Sequence, residues 1–138
     1  MPRFSDNYDR SEFRCNCGKC ENDAVDAELL SILEELHCYL SSRFNKKIYV
    51  EITSGNRCMV YNLKKNGALK SQHVLSKAAD IRGWLTWHVE QIDPEILADF
   101  LDLRYPDWYG IGRYDTFTHI DVRPNKARWD NRTERDKR

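Results

Sequence analysis

Two histidines and one aspartate, His73, Asp80 and His119, are residue types that could meet at a single metal ion. Two imidazoles and a carboxylate leave a fourth tetrahedral position to water. That is the pattern of a catalytic zinc site rather than a structural one. Ligand atoms on one zinc lie only about 3–3.5 Å apart, given bonds of about 2 Å. His73 and Asp80 are seven residues apart. A straight strand would separate them by about 23 Å, and a helix by a rise of about 10 Å. The segment Ser71–Asp80 must therefore fold back as a loop. Ser76, Ala78 and Ala79 suit a tight reversal, and Asp80 then enters a strand with Ile81. His119 and Asp121, two residues apart, leave the same face of a second strand.

Other residues offer further chemistry. Arg57, in Ser54-Gly55-Asn56-Arg57, could hold a substrate carboxylate through a two-pronged charged hydrogen bond, or could form a surface salt bridge. Cys15, Cys17 and Cys20 could bind a second metal, although no second cysteine pair completes such a site; free or partly oxidised thiols are the plainer reading. Five cysteines cannot all pair internally, which excludes a full disulfide framework. His37 falls beside a helical apolar stripe and reads as a packed or surface histidine, and His88 falls outside the ligand pattern. Gly110 and Gly112, with no helix following, read as letting a strand pass close to a substrate or a neighbour rather than as a phosphate loop.

Taken in order, Ser54-Gly55-Asn56-Arg57, Ser71-Gln72-His73, Ala78-Ala79-Asp80 and His119-Ile120-Asp121 resemble the zinc D-alanyl-D-alanine carboxypeptidase family. This is a group of peptidoglycan-cleaving metallopeptidases that shares its fold with the hedgehog signalling domain. Phe13-Arg14-Cys15 and Arg128-Trp129 are similar to the small phage-type branch. The resemblance implies one Zn2+ per chain on His73, Asp80 and His119, and substrate binding by Arg57 and Ser71. It implies hydrolysis of a peptide bond in cell-wall stem peptides, of carboxypeptidase or endopeptidase type, in a phage or prophage lysis protein. There are departures. Ser76 stands where the family usually has glycine, and Thr116 and Phe117 stand where many members place an acid or a histidine. The catalytic base then falls to Asp121, which could instead orient a liganding histidine, or to Asp115. Two other classes compete: a zinc-binding interaction module without catalysis, and a hydrolase with Cys58 or Cys38 as nucleophile.

The elements that must position these residues follow from periodicity. Apolar residues at Val25, Leu29, Leu33, Leu36, Leu40 and Phe44 predict a helix over 23–44, capped by Asn22 or Asp23. Residues 46–53 alternate as a half-buried strand delivering the Ser54–Arg57 turn. Asn66-Gly67 predicts a turn before the metal loop, and 84–88 a short strand. Asp93 caps a second helix with Pro94 in its first turn. Residues 109–114 and 117–122 read as two adjacent strands. Residues 1–22 form a cysteine-containing arm, and 130–138 a frayed polar tail.

The chain has 138 residues, 41% hydrophobic and 32% charged, which predicts one domain, 1–138. The expected architecture is α+β: one antiparallel sheet carrying the site, packed against two helices, in a monomer. Lys plus Arg and Asp plus Glu are both 22, so no charge excess points to nucleic acid. No apolar run reaches the roughly 20 residues of a membrane span. The first residues lack the apolar core of a signal peptide, which predicts synthesis in the cytoplasm; action on the wall then needs other factors for export.

Overall fold

The computed structural model describes residues 5–17, 25–55, 72–73 and 76–133. Its fold is α+β, with a six-stranded sheet and two helices. Helix α1 spans Ala27–Phe44 and helix α2 spans Pro94–Arg104. The strands are β1 (Tyr49–Ser54), β2 (Ala78–Thr86), β3 (Glu90–Ile92), β4 (Gly110–Arg113), β5 (Thr118–Asp121) and β6 (Ala127–Asp130). Their order is β1-β2-β5-β4-β6, with β3 also pairing β2.

The sheet is mixed rather than purely antiparallel, because β6 lies parallel to β4. Of the residues read as a frayed tail, Asp130 is the last residue of β6, and Arg132 is held beyond it by Glu95 and Asp130. Residues 84–88 do not form a separate strand. β2 runs unbroken to Thr86, and the turn after it feeds β3 through His88 at φ 55°.

Helix α1 starts at Ala27, later than the apolar pattern suggests, because Asp26 is its cap. The Asp26 carboxylate accepts from the N–H groups of Glu28 and Leu29 at 2.8 and 3.4 Å, satisfying two donors the first turn leaves over. Asn45 ends the helix in the left-handed region, φ 50°, a conformation asparagine tolerates. Helix α2 opens as its sequence dictates, with Asp93 accepting from Glu95 N–H and Pro94 in the first turn.

Both helices cover one face of the sheet. Leu29, Ile32, Leu33, Leu36 and Leu40 of α1 and Leu97, Ala98 and Leu101 of α2 pack in one cluster with Val50, Ala79, Ile81, Ile111 and Ile120. Each large apolar side chain removed from water there contributes about 1.5–3 kcal/mol. The N-terminal arm joins the same core: Tyr8 and Phe13 are buried, and the Tyr8 hydroxyl donates to the Leu33 carbonyl at 3.1 Å. Alternation then sends Asp80, Arg82 and Trp84 of β2, and His119 and Asp121 of β5, to the opposite face.

Candidate metal centre

The strand register assembles the site. Asp80 pairs with His119, His119 with Gly112, and Gly112 with Trp129. On the other side Asp80 pairs with Ser54, after a bulge between Ile52 and Ser54 shifts the β1 register. These residues stand in one row across the open face. The adjacent row holds Ala78, Asp121, Gly110 and Ala127.

His73 comes from outside the sheet, on the loop the spacing requires. Lys77 N–H reaches the Gln72 carbonyl at 2.9 Å and Ser76 N–H reaches the His73 carbonyl at 3.2 Å. With Ser76 left-handed at φ 62°, this is the closure that normally takes glycine at the Ser76 position. The Ser76 carbonyl in turn accepts from Asp26 N–H, tying the loop to the start of α1.

His73, Asp80 and His119 converge, with one potential ligand atom of each within 4.8 Å of the others. All three are buried, at 4%, 8% and 8% exposure. Asp80 Oδ1 lies 2.9 Å from His119 Nδ1 and 3.4 Å from His73 Nε2. Each imidazole is fixed from behind. His73 Nδ1 sits 2.6 Å from the Gly55 carbonyl oxygen, which can only accept, so Nδ1 carries the proton and Nε2 presents a lone pair. His119 has a carboxylate at each nitrogen, Asp121 Oδ2 2.7 Å from Nε2 and Asp80 Oδ1 2.9 Å from Nδ1; with its proton on Nε2, toward the closer and fully buried Asp121, Nδ1 presents a lone pair. In that tautomer two lone pairs and a carboxylate face one point. Three acceptors so placed repel one another unless a cation or a shared proton lies between them. Their spacing is close to the ~3.3 Å edge of a tetrahedron with bonds of about 2 Å.

Asp121 is completely buried. Arg123 grips it through Nε to Oδ1 at 2.8 Å, Nη2 to Oδ2 at 2.6 Å and its backbone N–H to Oδ1 at 3.1 Å. Burial would raise the Asp121 carboxyl, but the bonds from His119 and Arg123 outweigh it and hold it well below the usual range. Asp80 is likewise held low, by His119 and His73 against its burial. Burial pulls the His119 imidazole down, but Asp121 and Asp80 hold it above its ordinary value. Asp115 lies in the turn between β4 and β5, exposed, with Oδ1 accepting from Thr133 N–H at 2.9 Å. Arg57, Ser71, Cys20 and Cys58 lie outside the described residues, as does the Asn66-Gly67 turn. Cys15 is buried, Cys17 half-buried and Cys38 exposed, and His88 pairs with Glu51 away from the trio.

The family model described as peptidase M15 matches residues 6–121. The chain belongs to the peptidase M15 family. No curated protein and no solved structure matches it. The M15 chain is thus a peptidase of α+β fold with a His–Asp–His group able to hold a metal.

Several residues that shape this M15 site were given no place at it by the sequence reading. Trp129 lines it: its ring centroid is 5.1 Å from that of His119, and its Nε1 donates to the Tyr114 hydroxyl at 2.8 Å. Gly112 makes room for that indole, since a methyl there would overlap it. Gly110 makes room for Asp121, whose two carboxylate oxygens would lie 2.5 Å from an added methyl. Phe13 backs the His73 acceptor, its backbone packing against Gly55. The paired glycines were visible as a close approach, but what approaches them was not.

Proposed function

We propose that this chain is a zinc-dependent peptidase acting on the stem peptides of bacterial peptidoglycan, as carboxypeptidase or endopeptidase, in the setting of phage or prophage lysis. The observation that carries the metal assignment is the pair of imidazoles, each fixed by an acceptor on its far nitrogen and aimed with Asp80 at one point. His73, Asp80 and His119 would hold one zinc, which when bound polarises the scissile carbonyl and acidifies a bound water.

Asp121, with both oxygens engaged and no exposure, suits the orienting role rather than that of a base. Held by Arg123, it keeps the His119 proton on Nε2. Asp115 is the better candidate for exchanging a proton with solvent. It is exposed, and its Oδ2 takes no hydrogen bond among the described residues. Arg57 and Ser71 are assigned to substrate binding, with Arg57 fixing a carboxylate. No helix among the described residues is long and apolar enough to cross a membrane. We take the protein to act on the wall as a monomer.

The test is metal analysis of the purified protein, joined to digestion of purified peptidoglycan with products resolved by mass. About one zinc per chain, with cleavage lost on chelation and restored by zinc, is expected. Zinc retained without turnover would make it an interaction module. Activity that survives a chelator and dies with a thiol alkylator would point to the cysteines.

A further inference from the structure

We infer that Arg82 is a substrate-binding residue that receives a carboxylate of the peptide beside the metal centre. The inference rests on the peptidase reading above. Arg82 follows Asp80 by two residues on β2, so both side chains leave the open face. Their Cα atoms lie about 6–7 Å apart, roughly two residues of strand rise. An arginine there reaches ground next to a peptide held at His73, Asp80 and His119.

The guanidinium is half-buried, and its Nε is fully shielded from solvent without a hydrogen-bond partner. No side-chain hydrogen bond or ion pair joins Arg82 to any described residue. A buried charged donor left unpaired is costly, and such costs persist where function uses the group. The nearest candidate anion has been diverted. Glu51 is directly opposite Arg82 across the β1–β2 ladder, where an opposite charge would normally pair. Its carboxylate instead accepts from Trp84 Nε1 at 3.0 Å and faces His88 Nε2 at 3.1 Å. Glu51 is thereby held away, and the Arg82 guanidinium is left without a carboxylate partner among the described residues. The planar guanidinium matches a carboxylate in two-pronged fashion, which a lysine does not.

A peptide offers that chemistry in two ways, as its C-terminal carboxylate or as a free carboxylate on an internal acidic residue. Defined stem peptides, each with one carboxylate replaced by carboxamide, distinguish the two. For the parent protein, amidating the recognised carboxylate should lower kcat/KM by about 10–100-fold, the worth of a charge-assisted hydrogen bond. Arg82→Gln should lose the same factor on the acid form and discriminate little between acid and amide. Arg82→Lys should fall between. Zinc content and thermal midpoint should stay at parental values in both variants. Peptide binding by calorimetry is measured alongside turnover. Cleavage whose acid–amide discrimination is unchanged in Arg82→Gln overturns the Arg82 assignment and leaves the peptidase reading intact. Binding that depends on Arg82 without cleavage upholds the assignment and removes the peptidase reading. Failure to bind any of these peptides overturns both.

Discussion

Replacing Asp121 with asparagine keeps the shape of the side chain and changes one thing, the number of acceptors. The carboxylate now serves four donors: His119 Nε2–H, and the Nε, Nη2 and backbone N–H of Arg123. Arg123 offers only donors, two of them converging on Oδ1. The asparagine oxygen must therefore occupy the Oδ1 position, and its NH2 group takes the place of Oδ2. That NH2 faces His119 Nε2, which must give up its proton to accept. The proton moves to Nδ1, the atom 2.9 Å from Asp80 that a metal would need. Removing a partner that orients a ligand usually costs 10–100-fold in metal affinity, or about 1.4–2.7 kcal/mol. The tautomer change puts Asp121→Asn at the upper end. The metal-free protein should also lose roughly 4–10 °C of thermal midpoint, discounted because Arg123 is partly exposed. Competition for zinc against a chromophoric chelator measures the affinity. Arg123→Ala added to Asp121→Asn frees the amide to turn its oxygen to His119, and should recover part of the zinc affinity. The reasoning is refuted if Asp121→Asn binds zinc within about twofold of the parent while kcat falls by 10²–10⁴, the signature of a lost general base.

Three further outcomes are expected. Ser76→Gly relieves a left-handed serine at φ 62°, so chemical denaturation should show stability unchanged or raised by up to about 1 kcal/mol, with Ser76→Val lowered; the gain is limited by the entropy glycine adds to the unfolded chain. Gly112→Ala puts a methyl into the Trp129 indole, and should cost about 1–3 kcal/mol and shift tryptophan fluorescence as the ring is displaced from His119. His37 is held below its ordinary value by burial, partly offset by Glu34. The unfolded chain therefore takes up a proton near pH 6.5 before the folded one does. Its contribution is complete above that pH and is lost as pH falls through 6.5 toward the lower folded value. The drop in thermal midpoint between pH 7.5 and 5.5 should shrink in His37→Gln.

How much was legible in the sequence depended on whether the signal was local. The metal trio could be read because few residue types ligate zinc and the seven-residue gap between His73 and Asp80 admits only a loop. Helix α2 was read to its cap because Asp93-Pro94 is a local instruction. Strand β6 was missed: Ala127–Asp130 is four half-buried residues of mixed polarity with no alternation to notice. Its parallel pairing with β4 is set by distant chain. The start of α1 was placed too early because the acidic residues before it are interchangeable as caps on paper. Only the fold, through the Ser76 carbonyl, selects Asp26. The two faces of Asp121 were foreseen as alternatives, and the choice between them turns on Arg123, whose grip is a matter of geometry rather than spacing.

The row that crosses the sheet has a consequence for how the chain finds its fold. Ser54, Asp80, His119, Gly112 and Trp129 come from five different strands and meet only when every ladder is in its proper alignment. A slip of one residue in any of them would turn that strand over and carry its member of the row to the helix side. The apolar side opposes such errors too, since a turned strand would carry Asp80 or His119 into the helix-covered core. An ion captured by His73, Asp80 and His119 would police the β2–β5 ladder strictly, because a slip there would leave it at most two ligands. At a free concentration one hundred times its Kd it would favour the correct β2–β5 pairing by about 2.7 kcal/mol over a slipped one that cannot bind it. The metal would then act as a proofreader of strand pairing as well as a reagent.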